Sequence, residues 1–370
     1  MKKSKDNLLE LSLIKQTKHI YSKLEDDLSK RIFENNLLFS MTENIEFIRN
    51  MVSYSYGNVF NKCSEEVNKK LGNSPEVIVY GAGYMGACLL SFFDKVTAFC
   101  DSDEKKQGST YYGYNIITPG ELTKRYSNST VAIAIIDEKA IATIKSNLIK
   151  NGFSEDKIID FRIIFNIVHS HLPHLGEEQY FDTKIIKPIL SKEEIFIDAG
   201  CCNCYTVNQF IQKCNNEYRK IIAFEPSPKQ YKECTENSKN IRDIKIHQCG
   251  LWNENTDIYF NDESASTGGA HISGKPKDNA TKIKARKLDD ILNGEEATFI
   301  KMDVEGAELN ALKGAAQTIL KYRPKLAICV YHKPEDIIEI PAYILSLHND
   351  YKIYLRHYSL WHGETVLYAI

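Results

Sequence analysis

The fold is decided by the stretch Phe196-Ile197-Asp198-Ala199-Gly200, an apolar strand that ends in an acid and a glycine. A second strand of the same kind, Ala223-Phe224-Glu225-Pro226, follows it along the chain. Parallel strands present their carboxyl ends at one edge of a sheet, where ligands bind at the switch in strand order. Both acids are therefore expected at a single ligand-binding edge.

The pattern around these two strands continues to the end of the chain. Apolar stretches predict seven strands: Glu194–Ile197, Lys220–Phe224, Ile244–Gln248, Thr298–Met302, Lys325–Val330, Tyr351–His357 and Glu364–Ile370. Helical patterns separate most of the first five. Five alternating strands followed by two successive ones predict a mostly parallel sheet with an antiparallel edge.

A smaller α/β unit precedes this sheet. An apolar strand leads into Gly81-Ala82-Gly83-Tyr84-Met85-Gly86, then a helical pattern and a second strand that ends at Asp101. This order is typical of a dinucleotide-binding motif, because glycines let backbone amides approach a diphosphate and the acid holds a ribose. We therefore assign Gly81, Gly83, Gly86 and Asp101 to a site for a nucleotide, NAD or a nucleotide-sugar.

The residues before this unit predict helices only. Apolar side chains repeat every four residues at Ile20, Leu24, Leu28 and Ile32, which is an amphipathic stripe. The stripe fits packing on the rest of the chain or a homo-oligomer formed through these helices. The predicted domains are a helical segment over residues 1–72, a small Rossmann-like domain over 73–161, a connector over 162–190 and the larger sheet domain over 191–370.

The composition narrows the classes of partner. Lys+Arg number 47 and Asp+Glu 49, so the net charge of −2 offers no general attraction to nucleic acid or anionic lipid. No apolar run approaches the roughly 18 residues of a membrane span, and charges interrupt the start where a signal peptide would be apolar. We expect a cytoplasmic protein with neither a nucleic-acid partner nor a membrane span.

The chain has 10 cysteines. Several stand singly on apolar segments, which is typical of reduced cysteines in a cytosolic core: Cys88, Cys100, Cys214, Cys249 and Cys329. The exception is Cys201-Cys202-Asn203-Cys204. A zinc site usually needs a second pair of cysteines, which the sequence lacks, so we predict no metal there.

The densest group of acids closes the fourth strand of the larger sheet. The stretch from Phe299 to Glu308 contains Asp303 and Glu305 as well as Glu308, directly after a strand expected to be buried. Asp303 and His332 lie at the ends of neighbouring predicted strands, and we select them as candidates for a general base. Alternatively, Asp303, Glu305 and His332 would bind a divalent ion, but we predict that no metal is bound.

Taken together, several motifs resemble the FkbM-type methyltransferase family over about residues 178–370: Asp198 with Gly200, Glu225-Pro226, the block Ile300–Glu308 and the closing Tyr354–Tyr358. The resemblance implies the seven-stranded Rossmann-like sheet of class I methyltransferases. It also implies an S-adenosylmethionine-dependent O-methyltransferase that acts on a hydroxyl of a sugar, glycan or other small-molecule acceptor.

The resemblance assigns roles by position. Asp198 and Gly200 would line the methionine end of S-adenosylmethionine, Glu225 would take the ribose, and Asp303 and Glu305 would lie beside the transferred methyl group. Where the family carries a second glycine in the first loop, this chain has Cys204, whose side chain would crowd the cofactor.

Two other classes of function stay open. The glycine motif up to Asp101 would serve an NAD-dependent sugar-nucleotide oxidoreductase or epimerase, although a Tyr-x-x-x-Lys pattern at Tyr180 lies in the connector and not beside that motif. The second class is a non-catalytic nucleotide-binding protein in which Cys204 disables the larger domain. The first α/β unit resembles the small Rossmann-like domain that precedes sugar acyltransferases and some methyltransferases of this family.

Overall fold

The computed structural model describes residues 2–72, 74, 76–93, 95–261, 271–273 and 281–370. Their contacts divide the chain into two compact units. The larger unit contains Met1–Phe33, Glu178–Arg356 and Glu364–Ile370, and the smaller unit contains Glu34–Glu177 and His357–Gly363. Asn73, where the predicted small domain begins, lies outside the described residues.

The first part of the chain is helical, as predicted. Its helices are α1 Lys2–Lys23, α2 Asp27–Thr42 and α3 Ile45–Leu71. Three of the four stripe positions are buried, namely Ile20, Leu24 and Ile32. Leu24 forms a β-bridge with Ile353, and Arg356 Nη2 lies 2.6 Å from Asp26 Oδ2. These contacts explain why the residues up to 33 belong to the larger unit and not to a separate helical segment that ends at residue 72.

The smaller unit is built on a mostly parallel sheet. Its strands are β1 Val77–Tyr80, β2 Val96–Cys100, β3 Thr110–Tyr111, β4 Tyr114–Ile117, β5 Thr130–Ile133 and β6 Ile158–Asp160. Its helices after α3 are α4 Tyr84–Leu90, α5 Pro119–Arg125, α6 Glu138–Lys150 and α7 Phe161–His171. The strands run in the order β3-β4-β2-β1-β5-β6, and β1 pairs in parallel with β2 and β5. The β3–β4 hairpin escaped prediction because strands this short show no periodicity.

The larger unit contains the predicted strands and several more. In chain order they are β7 Ile195–Ala199, β8 Lys220–Phe224, β9 Ile244–His247, β10 Gly250–Leu251, β11 Thr256–Asn261, β12 His271–Ser273, β13 Thr281–Arg286, β14 Phe299–Met302, β15 Lys325–Cys329, β16 Ile353–His357 and β17 Thr365–Ala369. The seven that were predicted form one sheet, in the order β16-β17-β15-β14-β7-β8-β9. The other four form a small sheet in the order β10-β13-β11-β12, which the sequence pattern did not predict.

Helices follow most strands of the seven-stranded sheet. They are α8 Tyr205–Lys213, α9 Pro228–Asn237, α10 Leu288–Leu292, α11 Glu308–Lys313, α12 Ala316–Tyr322 and α13 Asp336–Leu347. Within the ranges described above, no helix combines the length and the apolar character that crossing a membrane requires.

The strand order determines where the ligand-binding edge of the seven-stranded sheet lies. β7 pairs in parallel with β8 on one side and with β14 on the other, and β15 continues the parallel pairing beyond β14. β17 runs antiparallel to β15. The chain leaves β7 toward β8 and returns later to β14, so the switch in strand order lies between β7 and β14. This is the predicted seven-stranded Rossmann-like sheet with its antiparallel edge.

Aromatic rings hold α8 against this sheet. Phe210 of α8 stacks on Phe196 of β7 with ring centroids 4.3 Å apart, and Phe196 lies 5.1 Å from Phe299 of β14. Phe181 packs on the same group at 5.9 Å from Phe299. All four rings are fully buried. The cluster therefore fixes the helix that follows the first loop of the ligand-binding edge.

We expect Phe210→Ala to lower the free energy of unfolding of the larger unit by about 3–5 kcal/mol, because it removes a stacked ring and leaves a cavity. Urea unfolding followed by circular dichroism measures the loss. Phe165→Ala is the matched control, since the Phe165 side chain is 52% exposed. Equal losses in the two variants would contradict a structural role for the aromatic cluster.

Candidate functional site

The loop after β7 bends sharply at Gly200. The φ angle of Gly200 is 81°, and its N–H donates to the carbonyl oxygen of Phe224 at 3.0 Å. A Cβ on this residue would collide with the main-chain carbonyl oxygen of Asp303. Glycine is required here because the ends of β7 and β14 approach closely. The packing of the main chain therefore requires glycine here, whether or not a ligand is bound.

Glu225 follows β8 at the same edge and is only 4% exposed. Its Oε2 accepts the N–H of Cys202 at 2.9 Å, and its Oε1 accepts the N–H of Ser227 at 2.8 Å. Burial raises the pKa of Glu225 to about 7, although these two N–H groups and Lys301 act against the rise. Each carboxylate oxygen has a second lone pair. Glu225 can therefore accept further hydrogen bonds while it holds the loop after β7.

Asp198 of β7 lies opposite Lys301 of β14 in the parallel register. The Lys301 Nζ atom is 3.0 Å from Asp198 Oδ1, and neither side chain is accessible to solvent beyond 2%. The same ammonium group donates to the carbonyl oxygen of Gly200 at 2.9 Å. Burial would lower the pKa of Lys301, but the charge of Asp198 raises it well above its usual value. Asp198 therefore binds a cation of the protein itself, which is Lys301.

Asp303 directly follows β14 and lies at the ligand-binding edge. Its Oδ2 accepts the hydroxyl hydrogen of Tyr180 at 2.7 Å. Burial raises the pKa of Tyr180 well above its usual value, so this phenol stays protonated as a donor. Burial alone would raise the pKa of Asp303, but Lys301 and His332 hold it below its ordinary value. The edge thus contains an ionised carboxylate in a fixed orientation.

Glu364 is a further acid of this edge, just before β17. Gln179 donates a hydrogen bond from its amide to the Glu364 carboxylate. Burial and the charge of Asp303 together raise the pKa of Glu364 to about 7. Sequence reasoning missed both Glu364 and Tyr180 as site residues. The available signal was the stretch Gln179–Asp182, which begins the family resemblance far from the acidic block.

His332 lies among three carboxylates. Its Nδ1 is 3.0 Å from Glu308 Oε1, and its Nε2 is 3.5 Å from Asp303 Oδ1 and also 3.5 Å from Glu305 Oε2. Burial would lower the pKa of His332, but these carboxylates raise it to about 10. The imidazole is therefore protonated at neutral pH and has no lone pair for a proton. Of the two candidates for a general base, the geometry favours Asp303 and disfavours His332.

The ligand atoms of Asp303, Glu308 and His332 lie within 4.8 Å of one another. The sequence had suggested Glu305 in place of Glu308 as the third ligand of a divalent ion. Glu308 takes that position because it begins α11 and is fully buried, whereas the Glu305 side chain is 42% exposed on a turn with φ of 54°. Glu305 consequently faces the open side of the edge.

Cys204 differs most from the role predicted for it, which was that its side chain would crowd the cofactor. It forms a disulfide with Cys234 of α9, and its side chain is fully buried. Cys204 therefore does not crowd the open side of the loop. Its φ of 68° lies in the left-handed region that favours glycine, which gives a physical reason for the glycine of the family pattern. The disulfide was not predicted, whereas the five cysteines that were predicted to be reduced core residues are free and buried: Cys88, Cys100, Cys214, Cys249 and Cys329.

The acid of the predicted nucleotide site in the smaller unit contacts its own glycine loop. Asp101 Oδ2 accepts the N–H of Ala82 at 2.9 Å and lies 3.2 Å from Lys106 Nζ. Lys106 Nζ also donates to the Ala82 carbonyl oxygen at 2.9 Å. The acid expected to bind a ribose thus holds the glycine loop and a lysine of the protein.

Two of the three glycines of this loop are required by packing. A Cβ on Gly81 would lie 2.7 Å from the carbonyl oxygen of Ala134, and one on Gly86 would lie 2.9 Å from the ring of Phe99. Gly83 has open space around it. The structure therefore explains Gly81 and Gly86 through the fold, without a nucleotide.

The strand order is that of the Rossmann-like sheet of class I methyltransferases, and the loop after β7 and the acids at the ends of β8 and β14 lie together at its ligand-binding edge. Residues 198–353 match a family model described as the methyltransferase FkbM domain. The resemblance seen in the sequence is thus confirmed over these residues. Residues 73–159 match a second model, described as C2185-like, N-terminal.

Two curated relatives carry methyltransferase names. The chain is 26% identical over 149 residues to Methyltransferase 1 of Beauveria bassiana, which covers 33% of this chain and 58% of that protein. It is 23% identical over 159 residues to 2-O-methyltransferase NoeI of Sinorhizobium fredii, which covers 38% of this chain and 65% of that protein. The chain thus spans less than two thirds of either relative.

A solved structure supports the fold over nearly the whole chain. The crystal structure of the FkbM methyltransferase from Methylobacillus flagellatus matches with a TM-score of 0.50 and 19% sequence identity. The match covers 93% of this chain and 99% of that one. At this identity the likeness concerns the fold alone.

The cluster of His332 with Asp303, Glu305 and Glu308 leads to a prediction about how the stability of the protein depends on pH. Because the pKa of His332 is raised from 6.5 to about 10 on folding, its ion pairs stabilise the protein fully below about pH 6.5, and this contribution is lost as the pH rises through about 10. We expect Glu308→Gln to lower the pKa of His332, which histidine NMR titration measures directly. Asp350→Asn is the control, because Asp350 is exposed and lies beside His348 instead. An unchanged His332 pKa in Glu308→Gln would refute the assignment.

Proposed function

We propose that the protein transfers a methyl group from S-adenosylmethionine to a hydroxyl of a sugar or glycan-type acceptor. The observation that carries the proposal is Glu225, a carboxylate buried at the carboxyl end of β8 whose two oxygens bind the adjoining loops and keep lone pairs free. Paired hydroxyls of a ribose are suitable donors for such an acceptor. The FkbM domain over residues 198–353 supports the same reading.

The residues present fit the charge of this cofactor. S-adenosylmethionine supplies a methyl group on a positively charged sulfur when it is bound. Asp303 and Glu305 lie at the end of β14, and Glu305 is open on one side. Carboxylates around a cation stabilise it, so these two acids would hold the sulfonium end while Glu225 holds the ribose. Asp198 would act through Lys301 and Gly200, because its own carboxylate is buried.

The chain's own contribution to the reaction is orientation and removal of one proton. Asp303 is the proposed acceptor of the hydroxyl proton, since Tyr180 fixes one of its oxygens and its other oxygen faces His332. A positioned general base typically contributes about 10²- to 10⁴-fold to the rate. Protonated His332 is a positioning residue, because it holds Asp303, Glu305 and Glu308 together. Glu364 has a pKa near neutrality and interacts with Asp303, so it is suited to receive the proton next.

The acceptor class rests on the family resemblance and on one relative named as a 2-O-methyltransferase. Mass spectrometry of glycans from a deletion strain, compared with the complemented strain, tests the class of acceptor. The expected result is that a sugar residue from the deletion strain is lighter by about 14 daltons, the mass of one CH₂ group.

We expect Glu225→Ala to weaken binding of S-adenosylhomocysteine about ten- to a hundred-fold, because hydrogen bonds to a charged acceptor are worth roughly 1.5–3 kcal/mol. Isothermal titration calorimetry of the purified protein measures the change in Kd. Glu217→Ala is the control, since Glu217 pairs with Lys192 at the surface. If Glu225→Ala kept the wild-type Kd and fold, Glu225 would be only a residue that ties two loops.

We expect Asp303→Asn to lower kcat by about 10²- to 10⁴-fold, because an amide cannot accept the hydroxyl proton. Tyr180→Phe should lower kcat less, since the carboxylate remains but loses the hydroxyl that orients it. Radiolabelled methyl transfer at saturating cofactor measures both rates. A normal kcat in Asp303→Asn, with the labelled methyl group still delivered to the acceptor, would assign the base to another residue.

A further inference from the structure

Three buried cysteines meet beside the proposed cofactor loop. Cys201 and Cys204 lie between β7 and α8, and Cys234 lies on α9. Each is at most 1% exposed, and their sulfur atoms all lie within 4.8 Å of one another. Cys204 is bonded to Cys234, while the free thiol of Cys201 is 3.4 Å from the Cys234 sulfur. A free thiol therefore lies within reach of one sulfur of the disulfide.

The disulfide between Cys204 and Cys234 connects two parts of the proposed cofactor site. Cys204 begins α8 and ends the loop that starts at Gly200, whereas α9 follows the strand that leads to Glu225. The main chain of the same loop donates to Glu225 through Cys202. The disulfide thus links covalently the two segments that a hydrogen bond to Glu225 also connects. A change in this bond would alter the loop that carries part of the proposed cofactor site.

Local charge favours a disulfide over a metal bound by three thiolates. Burial raises the pKa of the Cys201 thiol, the carboxylates of Asp198 and Glu225 raise it further, and Lys301 opposes them. Three thiolates at this position would add negative charge in a buried region, which is costly. A disulfide and one thiol are neutral.

We propose that Cys201, Cys204 and Cys234 form a thiol–disulfide site in which Cys234 bonds either Cys204 or Cys201, and that this bond sets the order of the cofactor loop. Formation from two thiols releases two protons and two electrons, which a peroxide takes up as it is reduced to water or which a small disulfide takes up as it becomes two thiols. In the exchange step the sulfur of Cys201 attacks the Cys234 sulfur as the Cys201 thiol gives up its proton to the departing Cys204 sulfur, because the nearby carboxylates disfavour a free Cys201 thiolate. The bond to Cys204 breaks, and Cys204 keeps the electron pair and takes a proton.

The effect on the loop rests on the proposed function, whereas the exchange does not. With the bond to Cys204 in place, the start of α8 is tied to α9 and the loop is pre-organised. Reduction frees Cys204, whose left-handed backbone is unfavourable for a residue with a side chain. A loop that must be ordered on binding lowers affinity. The reduced protein should therefore bind the cofactor product more weakly than the oxidised protein.

Disulfide mapping tests the exchange on the full chain. The protein is reduced, then oxidised with glutathione disulfide, alkylated and digested for mass spectrometry. Wild type should show the Cys204–Cys234 peptide pair, and Cys204→Ser should show Cys201–Cys234. Cys201→Ser should keep the first pair, and Cys214→Ser is the control, because Cys214 is a buried free cysteine at the other end of α8. A free Cys234 thiol in oxidised Cys204→Ser would overturn the proposal.

Calorimetry with S-adenosylhomocysteine tests the effect on the loop. We expect the reduced wild type to bind roughly ten-fold more weakly than the oxidised wild type, and the Cys214→Ser control to show the same difference. Equal Kd values for the two redox forms would overturn this part. If neither form bound S-adenosylhomocysteine, the proposed function would fail, and disulfide mapping alone would decide on the exchange.

Discussion

The buried ion pair between Lys301 and Asp198 is the interaction on which the ligand-binding edge depends. It follows from the parallel register of β14 against β7, which sets the two side chains opposite each other. The Lys301 ammonium also binds the Gly200 carbonyl oxygen and lies 5.0 Å from the ring centroid of Tyr180. One cation thereby fixes the acid of β7, the turn that follows it and the tyrosine that orients Asp303. A buried charge without a partner would cost several kcal/mol, so this arrangement is tightly constrained.

The acids of the edge are held close together by two cations of the protein. Lys301 forms an ion pair with Asp198, and protonated His332 forms ion pairs with Asp303 and Glu308. Lys301 and His332 together lower the pKa of Asp303, whereas burial dominates at Glu225, Glu364, Asp198 and Glu305 and raises their pKa values. The acids of the edge thus divide into Asp303, whose pKa two cations lower, and acids whose pKa burial raises. This division is the pattern expected where proton transfer and cation binding share one site.

The cysteine-rich loop shows how a local departure from a family pattern acquires a different physical basis. The family glycine fits the left-handed backbone at this position, and Cys204 adopts that backbone while its sulfur bonds Cys234. The covalent bond offsets the cost of the left-handed conformation. The side chain is thereby directed into the protein and away from the open edge, which the sequence pattern alone had suggested it would crowd.

The sequence by itself determined the two α/β units, the seven strands of the larger sheet and the meeting of Asp198, Glu225 and Asp303 at one edge, because apolar periodicity and strand-end acids are local signals. It also located Gly81 and Gly86, although packing against Ala134 and Phe99 explains them. Only the tertiary structure decided which partner each group has. The charge state of His332, the contact of Tyr180 with Asp303 and the bond between Cys204 and Cys234 join residues far apart in the chain. Pairings of this kind leave no period in the sequence, since they arise from the register of strands and the packing of the helices that follow them.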